Sequence, residues 1–576
     1  MLDTKARGKY EFWLTESYFD EKTKEELRII AEDEEDIEER FYRDLEFGTG
    51  GLRGIIGAGT NRMNIYTVRK ATQGLANFII KERAQEKGVV IAYDSRNMSP
   101  EFAQEAALCL VANGIRVYIF SSLRPTPMLS FAVRELGCTA GIMVTASHNP
   151  PEYNGYKIFW EDGAQITFPK DMKIIGEVNS ITDYTQIKTI SQEDAQTTGL
   201  YRVIGEEMDD KYMEVLKNLI LHSEIIQKEA ENLKIVYTPL HGTGNLPIRR
   251  VLRELGFVNV YVVKEQELPD SNFPTVSYPN PEDKNAFVLA LKLAEEVEAD
   301  IVLATDPDAD RLGMYAKDTI TGEYVRFTGN MSGMLILEYQ LAQKKMLGIL
   351  PENGAVITTI VSGKMAREIT KAYQLELVET LTGFKYIGEK IKNFEQSQVY
   401  EYVFGYEESF GCLVGTHARD KDAVVAAMVL SEVAAYYKNK GITLCDKMCQ
   451  LYETYGYYKE DLCTITLKGQ DGVRQIAEIM ENIRANIPKS IGGLNVKQFR
   501  DYKEEMVLNM INGEKSGTGL PEANVLYFEL EKNAWCCVRP SGTEPKIKFY
   551  VGVKGENEEE AEIMLQNMIE TVKKFI

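Results

Sequence analysis

The chain has 576 residues, too many for a single hydrophobic core, and its 44% hydrophobic content is ordinary for a chain that folds throughout, which points to three to five domains. With 87 acidic against 66 basic residues the formal charge is −21, which argues against a nucleic-acid or anionic-membrane partner while leaving room for a local basic cleft that binds phosphate. No run reaches the roughly 18 apolar residues a membrane span needs, Met1–Tyr10 is charged where a secretory leader would be apolar, and the 8 scattered cysteines read as reduced thiols of a cytoplasmic protein.

The acidic stretch Asp20–Asp44 reads as a solvated amphipathic helical region. Gly48-Thr-Gly-Gly-Leu-Arg-Gly54 is glycine-rich with one arginine. It lacks the Walker lysine and follows no clear strand, which disfavours an ATP-binding P-loop. A repeating pattern begins at Val89–Tyr93, a strand leading to Asp94-Ser-Arg96. A helix over Ser99–Asn113, a strand over Arg116–Phe120 and a helix over Met128–Leu136 follow. The apolar run Gly141–Val144 is a strand that ends in Thr145-Ala-Ser-His-Asn-Pro150. The pattern restarts at Lys234–Tyr237, with His241-Gly-Thr-Gly244 as a strand-to-helix turn and a helix to Leu255. The strand Val258–Val263, the helix Lys284–Val297 and the strand Asp300–Thr305 lead to Asp306-Pro-Asp-Ala-Asp-Arg311. It restarts again at Ala355–Val361, with a helix over Gly363–Tyr373, the segment Leu375–Glu379 and Gly383-Phe-Lys385, and ends in Val403–Gly411. Strands alternating with helices imply a mixed or mostly parallel sheet in each of three α/β units.

The last part differs. Strands over Leu462–Leu467, Asn524–Glu531, Trp535–Val538 and Ile547–Val553, with a helix over Val473–Ile487, predict an α+β layer with antiparallel neighbours. Asn557, with Glu560 three residues on, is the N-cap expected for a final helix. Cys445 and Cys449 are four apart on a helical stretch, but no histidine pair completes a zinc site.

Four loops carry chemistry. Ser147 is a small nucleophile at the C-terminal end of a buried strand, where α/β scaffolds display reactive groups. The absence of a G-x-S-x-G elbow gives a hydrolase nucleophile little support. Asp306, Asp308 and Asp310 alternate after an apolar strand and repel one another unless a cation neutralises them. An all-oxygen set suits Mg²⁺, Mn²⁺ or Ca²⁺ rather than zinc, with Mg²⁺ favoured if phosphate is a further partner. An EF-hand does not fit, because its glycine and glutamate positions hold Arg311 and Lys317. Glu407 and Ser409, in a turn ending at Gly411, offer a carboxylate and a hydroxyl that can grip vicinal sugar hydroxyls. Arg539-Pro-Ser-Gly-Thr-Glu-Pro-Lys546 offers a guanidinium, two hydroxyls and an open backbone to a phosphate.

Together TASHNP at 145–150, DPDADR at 306–311, GYEESFG at 405–411 and RPSGTEPK at 539–546 resemble the α-D-phosphohexomutase superfamily of phosphoglucomutases and phosphomannomutases. FGTGGLRG at 47–54 and TGFK at 382–385 extend the match over nearly the whole chain. The resemblance implies three similar α/β mixed-sheet domains and a C-terminal α+β domain around a central cleft, divided at residues 1–205, 206–325, 326–456 and 457–576. It implies that Ser147 carries a phosphoryl group and, with Asp306, Asp308 and Asp310, ligates Mg²⁺. Glu407 and Ser409 match the sugar contacts, and Arg539, Ser541, Gly542 and Thr543 the loop that holds the non-reacting phosphate. Thr49, Arg53, His148, Lys157, Arg311, Thr382, Gly383, Lys385 and Lys421 fall where the family places supporting substrate or acid–base contacts. Phosphoryl transfer needs a base for the acceptor hydroxyl, and His148 or a lysine of lowered pKa can serve.

The implied activity is interconversion of glucose 1-phosphate and glucose 6-phosphate through a phosphoserine and glucose 1,6-bisphosphate, the bisphosphate also serving as activator. The EES form of the sugar loop favours glucose over mannose. Tyr406 replaces a glycine common in phosphoglucomutases, and the FGTGGLRG and PPEYNGYK segments also resemble phosphopentomutases, so ribose and deoxyribose 1-phosphates are the alternative. A metal-dependent phosphatase and a non-catalytic sugar-phosphate binder are the rivals from other classes. The expected partner is a small sugar phosphate, and the expected assembly a monomer or weak homo-oligomer.

Overall fold

The computed structural model describes residues 3–46, 51–467, 469–541 and 546–575. Contacts divide the chain into two units. One comprises Met1–Thr328, Phe384–Gln398 and Phe404–Thr443; the other comprises Gly329–Gly383, Val399–Val403 and Leu444–Ile576.

The first unit opens with helices Thr4–Thr15, Glu21–Ile29 and Glu34–Phe41. Asp20 and Asp33 cap the second and third by accepting from Thr23 N and Asp36 N. Their apolar faces meet in an aromatic cluster of Trp13, Phe19, Phe41 and Tyr66, in which Trp13 and Phe19 stack at 4.3 Å. The acidic stretch is therefore amphipathic as expected, with one face buried and the carboxylates outward.

A six-stranded sheet follows. Its strands are β1 (Gly51–Ile55), β2 (Val89–Tyr93), β3 (Val117–Phe120), β4 (Ala140–Val144), β5 (Tyr153–Trp160) and β6 (Tyr201–Ile204), in the order β1-β5-β4-β2-β3-β6. β4, β2, β3 and β6 are parallel, connected in part by helices Ser99–Ala112 and Thr126–Glu135, while β5 runs antiparallel between β4 and β1. Ile91, Phe102, Val117, Ile142 and Ile158 lie in its core. The second sheet has β7 (Ile235–Thr238), β8 (Val260–Val262), β9 (Ile301–Thr305), β10 (Leu312–Lys317) and β11 (Tyr324–Phe327), in the order β11-β10-β9-β7-β8. Here β9, β7 and β8 pair in parallel, while β10 is antiparallel to both β9 and β11. Both sheets are mixed, as the alternation of elements predicted.

In the second unit β12 (Gly354–Thr359) and β13 (Glu376–Thr380) pair in parallel beside helices Gly329–Met346 and Met365–Ala372. The hairpin of β14 (Glu401–Glu407) and β15 (Gly411–Val414), which from Phe404 on belongs to the first unit, carries the expected sugar loop. The C-terminal sheet comprises β16 (Tyr457–Thr466), β17 (Ser490–Ile491), β18 (Leu494–Asp501), β19 (Met506–Asn509), β20 (Lys515–Gly517), β21 (Leu526–Leu530), β22 (Trp535–Pro540) and β23 (Lys546–Gly555). It runs β16-β23-β22-β21-β18-β19-β20, with β17 beside β18, and every pairing is antiparallel. Helices Gly469–Ala485 and Glu558–Val572 accompany it, and Asn557 accepts from Glu560 N as the expected cap.

Two loop assignments change. Glu407 is the last residue of β14 rather than part of a turn, and Arg539 belongs to β22 rather than to a loop, because in both places the chain closes a hairpin. All eight cysteines are free thiols, five of them buried. Among the described residues no helix is long and apolar enough to cross a membrane.

Candidate active site

The loop after β4 presents Ser147 in a left-handed conformation, φ +52°, which costs a serine roughly 1–2 kcal/mol unless its surroundings fix it. Its Oγ donates to Asp306 Oδ2 at 2.7 Å and lies 3.1 Å from His148 Nδ1. Burial, together with the Arg311 and Arg53 cations, holds the His148 imidazole well below its usual pKa and therefore neutral. Arg53 stands on β1 opposite Gly155 of β5 and donates to Asn149 Oδ1 at 3.1 Å. Gly155 is required there, since a Cβ would lie 2.5 Å from the Thr145 carbonyl oxygen.

The loop after β9 supplies three carboxylates whose oxygens lie within 4.8 Å of one another. Asp306 Oδ1 accepts from the backbone N–H groups of Asp310 and Arg311 at 3.2 and 3.1 Å. Asp308 Oδ2 accepts from Lys157 Nζ and Thr126 Oγ1, each at 2.9 Å. Asp310 Oδ2 lies 3.1 Å from Lys421 Nζ. Asp308 Oδ1 and Asp310 Oδ1 are buried and meet no hydrogen-bond donor. Burial and the two adjacent carboxylates push Asp306 well above the usual range, and burial and Asp308 raise Asp310. Burial opposes ionisation of Asp308 too, but Lys157 outweighs it and holds that carboxyl well below the usual range. Orphaned carboxylate oxygens in a buried, acid-only cluster fit a hard divalent cation.

The backbone of the neighbouring turn supports this loop. Thr243 donates to the Pro307 carbonyl from both N and Oγ1 at 2.8 Å, and a Cβ on Gly242 would lie 2.5 Å from Pro307 Cα. His241-Gly-Thr-Gly244 is therefore a buttressing turn between β7 and helix Asn245–Glu254. Arg311 pairs with Glu282 through Nη1; burial alone would lower its pKa, but Glu282 and Asp310 raise it.

The sugar loop is tied to the start of β10 by a backbone bond from Leu312 N to Phe410 O at 2.9 Å, and the aspartate loop to the helix Ala423–Asn439 by one from Ala423 N to Ala309 O at 3.2 Å. Glu407 is 4% exposed and close enough to Arg311 and Lys421 to raise the pKa of both. Ser409 is half-buried in the turn that follows. Lys421 pairs with Asp420 at 2.9 Å as well as with Asp310. Lys385, early in helix Phe384–Ser397, is buried in a cavity of about 160 Å³ with Gln165, Thr167 and Glu389, and burial lowers its pKa.

Ser147, His148, Lys157, Arg53, the three aspartates, Arg311, Glu407 and Lys421 thus form one connected cluster in the first unit. In the second unit Thr382 and Gly383 form a half-buried bend, and Arg539 and Ser541 lie half-buried at the end of the β22–β23 hairpin, where Ser541 N donates to the Lys546 carbonyl at 2.7 Å. Thr49, Gly542 and Thr543 lie outside the described residues. Sequence reasoning missed Thr126, Glu282 and Asp420, which partner Asp308, Arg311 and Lys421. It stopped at Asp94 and Arg96 as the end of a strand, without seeing what they hold.

The sequence matches the phosphoglucomutase/phosphomannomutase family at four consecutive places. Residues 44–185 match its alpha/beta/alpha domain I, 210–321 its domain II, 328–455 its domain III and 471–569 its C-terminal domain. The chain belongs to this family. Among phosphoglucomutase/phosphomannomutase relatives, it is 36% identical over 532 residues to the phosphoglucomutase of Staphylococcus haemolyticus JCSC1435, covering 92% of this chain and 94% of that one. It is 37% identical over 545 residues to the phosphoglucomutase of Staphylococcus aureus MSSA476, covering 94% and 96%. Two solved structures share the family fold. A phosphoglucomutase/phosphomannomutase family protein from Burkholderia thailandensis aligns with a TM-score of 0.65 at 18% identity, over 92% of this chain and 97% of that one. The open form of pp63/parafusin, a phosphoglucomutase from Paramecium, aligns with a TM-score of 0.67 at 17% identity, over 93% and 94%.

Proposed function

We propose that the protein is a phosphoglucomutase that interconverts glucose 1-phosphate and glucose 6-phosphate through phosphorylated Ser147. The observation that carries this reading is the hydrogen bond of 2.7 Å from Ser147 Oγ to Asp306, between a serine loop matched to domain I and an acid cluster matched to domain II. The phosphoglucomutases of two staphylococci, 36% and 37% identical over most of the chain, support glucose phosphate as substrate.

Asp306, Asp308 and Asp310 would hold Mg²⁺, with a Ser147 phosphoryl oxygen as a further ligand. The ion would supply positive charge beside the transferring group. In the forward half-reaction the bond from phosphorus to Ser147 Oγ breaks as a bond to the sugar O6 forms, giving glucose 1,6-bisphosphate. The O6 proton passes to a base. His148 is suited to this, being neutral and 3.1 Å from Ser147 Oγ, whereas the Lys157 ammonium is committed to Asp308. Arg311, Lys157 and Lys421 offset the carboxylates around the transferring group, and Glu407 with Ser409 grips the sugar hydroxyls. The bisphosphate then presents its 1-phosphate to Ser147; the bond from phosphorus to O1 breaks as one to Ser147 Oγ forms, and O1 takes back the proton held by the base as glucose 6-phosphate leaves. By the family resemblance, Arg539, Ser541, Gly542 and Thr543 are assigned to the phosphate that is not reacting, and Thr49, Arg53, Thr382, Gly383 and Lys385 to supporting substrate contacts.

The test pairs mass analysis of Ser147 with a coupled assay on glucose, mannose and ribose 1-phosphates. Phosphate on Ser147, fastest turnover with glucose 1-phosphate and no turnover by Ser147→Ala are the expected results. Faster turnover of ribose 1-phosphate would make the protein a phosphopentomutase. Steady release of inorganic phosphate without a 6-phosphate product would make it a phosphatase.

A further inference from the structure

Both backbone polar atoms of Ser147 are held by one buried segment, Asp94–Arg96, that takes no part in the chemistry above. The Ser147 N–H donates to Thr145 Oγ1 at 2.8 Å, and Thr145 Oγ1 donates to Asp94 Oδ2 at 2.6 Å. The Ser147 carbonyl accepts from Arg96 Nη2 at 2.5 Å and from Nε at 3.2 Å. The same guanidinium donates to the carbonyls of Asn149, Pro150 (2.8 Å) and Tyr153 (3.1 Å). Asp94 and Arg96 are each 1% exposed, and their charged groups lie 3.4 Å apart. Asp94 Oδ1 is occupied by Ser99 Oγ at 2.7 Å and Arg96 N at 3.0 Å. From the second sheet's domain, the Phe273 ring lies over the guanidinium at 5.0 Å.

A buried ion pair is poor value as a source of stability, because desolvating both charges offsets most of their attraction. An apolar pair of the same volume would pack the site as well, but it could not gather four carbonyls of one loop around one point. Arginine can, since its five N–H groups form a rigid fork. The consequence falls on Ser147. Its φ of +52° is held from both sides of the residue, so the side chain alone is left to move. In-line transfer is sensitive to such placement, a misplacement of about 1 Å costing on the order of 100-fold in rate.

We propose that Asp94, Arg96 and Thr145 are positioning residues for phosphoryl transfer, fixing the Ser147 backbone while its Oγ gives up and regains the phosphoryl group. The proposal rests on Ser147 being the phosphoryl carrier. It predicts that Thr145→Val, which keeps shape but loses both hydrogen bonds, lowers kcat by roughly 10- to 100-fold and leaves KM for glucose 1-phosphate within about twofold. Thr145→Ser, which keeps both bonds, should retain kcat within about threefold. Arg96→Lys, a point charge in place of a fork, should behave like Thr145→Val. The measurements are steady-state kcat and KM, the single-turnover rate from phosphorylated Ser147 to glucose 1-phosphate, and thermal unfolding of each variant. If Arg96→Lys fails to fold, the two Thr145 variants decide alone. Near-parental kcat in Thr145→Val, or equal losses in Thr145→Val and Thr145→Ser, would overturn the proposal. Ser147→Ala separates the two levels: activity in that variant removes the carrier reading, whereas an inactive Ser147→Ala beside a fully active Thr145→Val removes the positioning role alone.

Discussion

At the scale of single residues, the acid cluster is divided by its partners. Asp308 is spoken for by Lys157 and Thr126 through one oxygen, and its other oxygen is left bare. Asp308→Asn keeps the shape but removes a charge from a site built for a cation. It should weaken Mg²⁺ binding, measured by calorimetry on the intact protein, and lower kcat at least about 100-fold, as chelation of the wild type should. Unchanged Mg²⁺ affinity in that variant would place the cation elsewhere. The spacing of Asp306, Asp308 and Asp310 was legible because all three share one loop after one apolar strand. Thr126 and Glu282 were not, since each reaches the site from a distant part of the chain; Asp420, next to Lys421, was missed because nothing local distinguishes it from a capping or surface residue.

At the scale of elements, the hairpin β14–β15 and the loop at Lys421 are fitted to each other through a glycine. A Cβ on Gly411 would lie 2.0 Å from Lys421 Cδ and 2.6 Å from Cγ, both within the stem that carries the ammonium to Asp310. Gly411→Ala should therefore displace Lys421 and cost on the order of 1–3 kcal/mol by overpacking. A lower Tm together with a fall in kcat would show it, and a variant equal to the parent in both would mean that the lysine stem yields freely. The helices and parallel strands of the repeating pattern were legible from their periodicity, often to within a few residues, but the parallel strand β6 and the helices Ile65–Lys81, Gly329–Met346 and Ala423–Asn439 were not foreseen. Nor were β1 and β5. β5 carries Gly155 in its middle and opens with turn-forming residues, which read locally as a loop, yet that glycine is there because the Thr145 carbonyl leaves no room for a side chain. The strands β17 to β20 escaped for a related reason: they are short, with many exposed positions and glycines between or within them, so no alternation develops.

At the scale of the whole molecule, one carboxyl links stability to pH. Burial pushes Glu460, in β16, from 4.5 up to about 7, against an Asn330 hydrogen bond and Lys364. The folded protein therefore holds a proton that the unfolded chain has already released. Stability from this group is present below the unfolded pKa and is lost as pH rises through about 7. Glu460→Gln should raise stability at pH 8.5 by on the order of 1–3 kcal/mol, read as a higher Tm, and leave Tm unchanged at pH 3.5. Thermal unfolding at the two pH values checks this, and an equal shift at both would assign the effect to packing instead. The family architecture was legible at this scale from four motifs in order, but the path of the chain was not. The first unit is assembled from Met1–Thr328, Phe384–Gln398 and Phe404–Thr443, with stretches of the second unit in between. During synthesis on the ribosome the Ser147 and Asp306 loops emerge long before Lys421, which sits on the last of those pieces. The nascent first unit must wait, with its acid cluster short of a cation, while Gly329–Gly383 and Val399–Val403 of the other unit are translated.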